Sequence, residues 1–358
     1  MKRFAYWFFP VFLAVCAAGC GKDSAEEPQT SSASAEVVDL DALLRAGAGA
    51  IGRKDAAAAA EAAAQALKLR PESAEAVLLA GQAACLKGDY AKARAQFESV
   101  IREKSLPAAL RAQAYAGRGT VEFMQQEVDL ARITLLHALL LDEGNAAARY
   151  YLGRIYLDVY QFNEAAKEQF EQFVRCAEDA SAAKKAANRF LSDIDEAIAR
   201  AAAQRLGDTT RNSELAAKLL GEARSLEQQG AEREARKKYM AAREADPLCG
   251  PASLGYARMQ KRLDRSSEGV GKALVAYRAA LDQVPAGGKD WYKVIMEAAQ
   301  LAYMTKERWA TVVKIMDRVM AHRPKDMDAL DMLIGANMKT GSAKLVNAWT
   351  DYRKEIKK

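Results

Sequence analysis

Apolar residues recur with a helical period along almost the whole chain from about residue 40. In the segment LKGDYAKARAQFESVI, residues 86–101, a turn at Gly88 separates two helical patterns, and Ala93, Phe97 and Val100 fall on one face of the second. Ala, Leu, Glu, Lys, Arg and Gln, which favour helices, dominate this part of the chain. The pattern predicts an all-α protein made of short helices joined by tight turns.

The same pattern returns about every 34 residues. The units are placed at residues 40–73, 74–107, 112–145, 146–179, 216–249, 252–285 and 293–326. The first four units share a small residue at position 8 (Gly47, Gly81, Gly119, Gly153) and another at position 20 (Ala59, Ala93, Ala131, Ala165). Two irregularities are visible: Phe170 lies one residue out of register, and the unit 252–285 carries about four extra residues, expected near 265–271.

Proline placement supports these boundaries independently. Outside the N-terminal region, the prolines are Pro71, Pro107, Pro247, Pro251, Pro285 and Pro324, and all six lie at predicted junctions. A proline inside a helix costs ~3 kcal/mol, so its confinement to junctions favours the assigned repeat.

The repeated pattern resembles the tetratricopeptide repeat family, whose unit is a helix-turn-helix of 34 residues. The resemblance implies an all-α tetratricopeptide-repeat superhelix of about seven repeats in two blocks, residues 40–179 and 213–354. Residues 180–212 are predicted to form a long connecting helix and a polar break, and residues 327–354 a partial last pair that caps the second block. Stacked pairs are needed because a single pair cannot bury its apolar face.

The resemblance also implies a peptide-binding groove, because the first helices of such repeats line one. Carried onto the second to fourth units, it predicts a site of Leu78, Gln82, Phe123, Met124, Tyr150, Arg154 and Leu157, with Cys85, Leu86, Ala116, Thr120 and Asp158 beside them. The alternative, that several of these side chains pack in the interior, stays open. The groove suits an extended peptide or an amphipathic helix.

The N-terminus has the layout of a secretory signal peptide. Lys2 and Arg3 precede an apolar stretch, residues 4–15, that is shorter than the ~20 residues needed to span a bilayer. The small residues before Cys20 resemble a bacterial lipobox, whereas bulky Val15 makes Cys16 a poorer candidate. An ordinary cleaved signal or an uncleaved anchor remains an alternative.

The lipobox resemblance implies a signal peptide at residues 1–19 and a Cys20 that carries acyl chains such as palmitate. Residues 20–38, rich in Ser, Ala, Glu and Pro, are then a flexible linker. Gly21 after the cysteine favours, by analogy with bacterial sorting, an outer-membrane protein that faces the periplasm. The expected location is thus the cell envelope, with the lipid as the membrane contact.

Charge and cysteine content exclude some functions. Without Lys2 and Arg3, the 53 basic residues fall to 51 against 47 acidic ones, a net charge of +4, and the two signs are interspersed. A nucleic-acid-binding protein would show a concentrated basic face. Cys85, Cys176 and Cys249 lie far apart and only two histidines occur, so neither a metal nor another cofactor is expected. A disulfide among these cysteines stays open, although Cys85 is expected to be buried.

No catalytic motif emerges. The segment GAGAIG, residues 47–52, matches G-x-G-x-x-G, but no strand precedes it, and Gly47 already has a packing role, so no nucleotide is expected. His137 and His322 each lie on a second helix, and a surface or junction position is expected for both. The sequence therefore predicts a protein that is not an enzyme.

These features together predict a membrane-anchored scaffold that binds another envelope protein or a peptide segment. It would be an accessory of an outer-membrane or cell-envelope assembly complex. Two alternatives remain: a structural spacer with no groove ligand, and a non-catalytic subunit of a peptidoglycan-processing system.

Overall fold

A computed structural model describes residues 39–177, 181–207, 211–305 and 308–357, and all regular structure in these ranges is helical. The helices are α1 (Leu40–Gly52), α2 (Ala56–Leu69), α3 (Ala74–Leu86), α4 (Tyr90–Arg102), α5 (Ala108–Met124), α6 (Val128–Leu141), α7 (Ala146–Ile155), α8 (Asn163–Cys176), α9 (Ala182–Gly207), α10 (Ser213–Gln228), α11 (Glu232–Ala245), α12 (Gly250–Leu263), α13 (Ser267–Leu281), α14 (Lys289–Met304), α15 (Trp309–His322), α16 (Met327–Thr340) and α17 (Ala343–Ile356). A π-helical turn, Tyr156–Tyr160, follows α7.

The helices form consecutive pairs joined by short turns. Helices α1 to α8 make four pairs, α9 is a single long helix, and α10 to α17 make four more. The second helix of a pair packs on the first, and the first helices of neighbouring pairs also touch, as α1 does α3 and α3 does α5. The predicted all-α fold of tetratricopeptide helix-turn-helix repeats is confirmed.

The described residues divide into two compact units. Unit 1 contains residues 39–161 and 166–192, and unit 2 contains residues 162–165 and 193–357. The main division falls inside α9, and the first residues of α8 are also grouped with unit 2. Each unit has its own core, so each is described by itself below.

The turn between the two helices of a pair has a recurrent backbone conformation. The residue at repeat position 15 takes the left-handed conformation in six pairs: Lys54, Gly88, Gln126, Gln161, Gly230 and Gly341 have φ of 63°, 79°, 62°, 56°, 78° and 81°. A left-handed residue ends one helix and redirects the chain. Glycine adopts the left-handed conformation without strain. Lys54 and Gln126 adopt it at a steric cost, which the packing of their helix pairs must offset.

The π-helical turn explains why Phe170 is out of register. The turn adds one residue between α7 and α8, so the left-handed residue is Gln161 rather than residue 160. Position 20 of this repeat is therefore Ala166, four residues before Phe170, and the assignment of Ala165 to that position was wrong. Both alanines are fully buried, which is why the sequence could not separate them.

The extra residues of the unit 252–285 lengthen a helix rather than a loop. Only three residues, 264–266, separate α12 from α13, and the buried small residue Ala273 is the seventh residue of α13, whereas the equivalent Ala93 is the fourth residue of α4. The additional turn at the start of α13 is capped by Ser266, whose Oγ accepts a hydrogen bond from the Gly269 backbone N–H at 3.0 Å.

Close contacts between an aromatic ring and glycines set the spacing of the helices in unit 1. Phe97 on α4 is fully buried. A Cβ atom built on Gly81 would lie 2.8 Å from this ring, and one on Gly117 would lie 2.5 Å from it. Any larger side chain at either position would collide, so the ring of a second helix fills a space that only two glycines of the first helices α3 and α5 leave open.

The same contact recurs along the chain with different partners. A Cβ atom built on Gly119 would lie 2.7 Å from Leu135. One on Gly153 would lie 2.8 Å from Phe170, and one on Gly255 would lie 2.3 Å from Tyr239. In the first pair, position 24 is Ala63, which is too small to fill the space. Leu79 of the next helix takes its place, 2.3 Å from a Cβ on Gly47, which accounts for the packing role expected of that glycine.

His137 is buried, so the expectation of a surface or junction position was wrong. It lies in the middle of α6, where every residue from Ala131 to Leu139 is buried. Its ring stacks on Tyr115, with centroids 5.0 Å apart and planes 5° from parallel. His322 does lie at the end of a helix, half-buried against Trp291 with ring centroids 5.4 Å apart.

Within the described ranges, none of the helices is both long enough and apolar enough to cross a membrane.

Replacing Gly117 by Ala is expected to destabilise unit 1 by about 1–3 kcal/mol, because the new methyl group overpacks against Phe97. The matched control is Gly49→Ala in α1, where a Cβ meets only the flexible end of Arg53 at 3.4 Å. That change should stabilise the protein by roughly 0.5–1 kcal/mol through helix propensity. Urea unfolding followed by circular dichroism measures both, and equal effects of the two substitutions would contradict the packing described here.

Candidate functional site

The first helices of consecutive pairs lie side by side in unit 1 and form one surface, the first-helix face. Contacts join α1 to α3, α3 to α5, and α5 to α7. This is the surface on which the sequence placed a peptide-binding groove. Residues 1–38, and with them the predicted lipidation site Cys20, lie outside the described residues.

The structure divides the predicted groove residues into two groups. Leu78 and Tyr150 are 3% and 4% exposed, and Tyr150 packs among Tyr151, Phe170 and Phe173 with ring centroids 5.3–6.0 Å apart. Their side chains belong to the core, as do Cys85, Ala116 and Thr120. Half-buried side chains make up the second group: Gln82, Leu86, Phe123, Met124, Arg154 and Leu157.

The half-buried apolar members of this second group define the apolar strip: Leu86, Phe123, Met124 and Leu157. They lie at the C-terminal ends of three adjacent first helices, Leu157 just beyond the end of α7. The ring of Phe123 rests at 5.6 Å from that of buried Tyr151, so the exposed part of this ring is held on a rigid base. The strip therefore offers fixed apolar contacts to a ligand.

An ion pair borders the apolar strip. Arg154 Nε donates to Asp158 Oδ2 at 2.7 Å, and its guanidinium lies 5.2 Å from the centre of the Phe190 ring. Burial lowers the pKa of Arg154, but Asp158 and Tyr150 more than offset this and leave the pKa above its ordinary value. The guanidinium thus stays charged beside the strip, with its carboxylate partner already in place.

The π-helical turn holds the end of the apolar strip that carries Leu157 and Asp158. Tyr160, the last residue of the turn, donates a hydrogen bond to Asp129, and Arg132 lies 5.0 Å from the centre of its ring. π-helical turns inside helices occur frequently at functional sites. Here the extra residue sets where Leu157 and Asp158 emerge on the first-helix face.

Unit 2 carries a second, charged feature that the sequence analysis did not assign. Four basic side chains of α10 and α12 form the cationic cluster: Arg224, Arg258, Lys261 and Arg262. Arg258 makes two hydrogen bonds to Glu297 on α14, Nε to Oε2 at 2.9 Å and Nη2 to Oε1 at 2.8 Å. Arg262 Nη1 lies 3.6 Å from Glu227 and 3.4 Å from Glu232. The signal available in the sequence was that these four basic residues all lie on predicted first helices, although only Arg224 occupies a groove position in the predicted register.

Two buried tyrosines connect this cluster to the core of unit 2. Tyr239 on α11 donates to Glu227 Oε2 at 2.7 Å, and Tyr277 on α13 donates to Glu297 Oε2 at 3.3 Å. Burial, together with Glu227, raises the pKa of Tyr239 to about 12, so the hydroxyl remains a donor. The two tyrosines thus orient the carboxylates of Glu227 and Glu297 from the core side, and the same carboxylates contact arginines at the surface.

Unit 2 also has exposed apolar side chains near the C-terminal ends of the first helices α14 and α16, termed the methionine patch: Tyr303, Met304 and Met338. Met304 is 75% exposed and Met338 60%. Tyr303 lies against α16, its hydroxyl 3.1 Å from where a Cβ on Gly335 would be, and its ring meets Trp309 at 5.1 Å. The patch thus spans the C-terminal ends of α14 and α16.

The three described cysteines are free thiols. Cys85 is buried as expected, Cys249 is half-buried and Cys176 is exposed. Burial raises the pKa of the Cys85 thiol to about 12. Within the part of the chain that the structure covers, no three His, Cys, Asp or Glu side chains cluster in a way that could hold a metal ion.

The chain is similar in structure to solved tetratricopeptide repeat proteins. Yeast Sti1, in a complex of its TPR2AB domain with pHSP90, is 12% identical, with 89% of this chain and 98% of that one covered and a TM-score of 0.26. A tetratricopeptide repeat protein from Parabacteroides merdae is 10% identical, with 84% and 98% covered and a TM-score of 0.30. The TPR domain of P58(IPK) is 16% identical, with 79% and 92% covered and a TM-score of 0.34. At these TM-scores the fold assignment depends on the helix pairs themselves.

No protein-family model matches the chain, and no curated protein matches it either.

The burial of Cys85 predicts a large difference in thiol reactivity. At mildly alkaline pH, iodoacetamide should alkylate Cys176 within minutes and leave Cys85 unmodified until the protein is unfolded, because the thiolate is the reactive species. Mass spectrometry of the peptides measures each site separately. Alkylation of Cys85 at the rate of Cys176 in the folded protein would contradict the packing of α3.

Proposed function

We propose that this protein is a non-enzymatic scaffold that binds a segment of another protein on the first-helix face of unit 1. The observation that carries the proposal is the apolar strip, in which Phe123 and Leu157 stay half-buried at or just beyond the C-terminal ends of adjacent first helices. Exposed apolar groups that are rimmed by polar residues mark interaction sites, and aromatic side chains such as Phe123 are enriched in the cores of protein interfaces.

The geometry of the strip favours an extended peptide or an amphipathic helix. Adjacent helices pack with their axes about 8–10 Å apart, so the strip presents one apolar anchor at about that interval. An extended chain rises ~3.3 Å per residue, and a ligand that crosses the helices would contact them with every third residue. A helix would use residues two turns apart, which lie ~10.5 Å apart.

The N-terminal sequence supports an envelope location for this scaffold. The lipobox-like segment before Cys20 favours a lipid-anchored protein, with the repeat units held near the membrane by residues 20–38. A partner within reach of that anchor would be another envelope protein, such as a component of an outer-membrane assembly complex. The alternatives are a structural spacer and a non-catalytic subunit of a peptidoglycan-processing system, and partner binding separates the spacer from the other two.

The double change Phe123→Ala and Leu157→Ala is expected to abolish saturable crosslinking to the partner in isolated envelopes. Removing two anchors should cost about 2 kcal/mol or more of binding free energy. Circular dichroism should show unchanged helicity, because both side chains are only half-buried.

The control for this double variant is Leu69→Ala, which removes an apolar side chain that is 53% exposed on the second helix α2. Crosslinking should survive that change. If the partner is still captured by the double variant, the apolar strip is not the binding site, and a protein with no saturable partner at all would favour the spacer.

Lipidation is tested by metabolic labelling with an alkyne analogue of palmitate. Wild type and the Cys16→Ala variant should both carry the label, and Cys20→Ala should carry none. Each buried methylene contributes ~0.8 kcal/mol to membrane affinity, so two or more chains give stable anchoring. If the label is lost in Cys16→Ala and kept in Cys20→Ala, the acyl chain is on Cys16 and the assignment of Cys20 is wrong. An unlabelled wild-type protein would show that the protein is not a lipoprotein.

A further inference from the structure

We infer that unit 2 has a binding surface of its own, which takes an acidic segment of a partner protein that also carries large apolar residues. The surface consists of the cationic cluster and the methionine patch, and it differs from the apolar strip of unit 1 in charge. The inference thus goes beyond the proposed function and names the chemistry of a second ligand.

The cationic cluster is pre-organised. Arg258 is held by two hydrogen bonds to Glu297, and Tyr277 fixes that carboxylate from the core. Arg262 lies between Glu227 and Glu232, and Glu227 is in turn fixed by Tyr239. Because the guanidinium groups are already ordered, a ligand carboxylate loses less free energy in immobilising them.

The cluster also holds more positive charge than its own carboxylates neutralise. Arg224, Arg258, Lys261 and Arg262 face Glu227, Glu232 and Glu297. Arg224 and Lys261 form no ion pair with another described residue, although Lys261 adds its charge at Glu297 and Arg224 adds its charge at Tyr239. With four cations against three carboxylates, the cluster keeps a net positive charge, which favours an anionic ligand and disfavours a basic one.

The methionine patch supplies the apolar half of the surface. Methionine is unbranched and polarisable, and it adapts to irregular apolar partners. Met304 and Met338 are the most exposed large apolar side chains of α14 and α16. The rigid contact of Tyr303 with Trp309 gives the patch a fixed centre. A large exposed apolar group of this kind beside ordered charges is typical of an interaction site.

The two halves have a defined separation. Glu297, which holds Arg258, and Met304 lie seven residues apart on α14 and therefore on the same side of that helix, ~10.5 Å apart along its axis. A ligand that contacts both needs an acidic residue and a large apolar residue at about that distance. In an extended peptide this corresponds to a spacing of about three residues.

The test is a selection of random peptides of roughly 16 residues, displayed on phage, against the full-length protein in detergent. The expected peptides carry Asp or Glu together with Leu, Phe, Met or Trp. Their affinity should fall about tenfold or more in the variant Arg224→Gln with Lys261→Gln. It should also fall in Met304→Gln with Met338→Gln, because the apolar contact is lost.

Matched controls lie on the second helices of the same unit. Arg233→Gln with Lys237→Gln removes two exposed charges from α11, and Met240→Gln with Val275→Gln changes two exposed apolar residues of α11 and α13. Both controls should bind as wild type does, and so should Phe123→Ala with Leu157→Ala in unit 1.

Three outcomes would overturn the inference: selected peptides without an acidic bias, equal losses in the controls, or no enriched peptide. Peptides that lose affinity only in the Phe123 and Leu157 variant would support the apolar strip and refute the unit 2 surface. Peptides that lose affinity only in the unit 2 variants would support this inference. The apolar strip of unit 1 would then still be tested separately, by the crosslinking experiment.

Discussion

The close approach of a second-helix side chain to glycines of the first helices is the contact on which the rest of the structure depends. Phe97 fills the space above Gly81 and Gly117, and Tyr239 does the same above Gly255. Interiors are close-packed, so one added methyl group at these glycines would force the helices apart. Because this contact fixes the distance between first helices, it also fixes the spacing of every side chain that they present at the surface.

The two units use this framework differently. In unit 1 the filling side chains are apolar, as with Phe97 and Leu135, and the surface above them carries the apolar strip. In unit 2 Tyr239 and Tyr277 take the same position, and their hydroxyl groups reach the carboxylates of Glu227 and Glu297. Unit 2 thus has tyrosine where unit 1 has phenylalanine or leucine, and the additional hydroxyl groups order charged side chains at the surface. The residue that packs the repeat therefore also determines which charges the surface presents to a ligand.

The repeat period, the small residues and the helix-turn-helix fold were predictable from the sequence, because they follow from local spacing. The π-helical turn was not, since one added residue leaves Ala165 and Ala166 equally plausible. Burial of Leu78, Tyr150 and His137 depends on neighbouring helices that no single repeat specifies. Phe123 and Leu157 lie half-buried on the first-helix face. The cationic cluster was missed because three of its four residues do not occupy groove positions in the predicted repeats.

The most direct test of the account is methionine oxidation by brief exposure to hydroxyl radicals, in intact cells that make the protein and in the purified protein. Met124, Met304 and Met338 lie on first helices, and Met240, which is 42% exposed, lies on a second helix. If the first-helix faces carry the partners, the first three should be oxidised more slowly in cells, with Met240 unchanged. Protection of Met240 to the same degree, or equal oxidation of all four in both settings, would contradict the account.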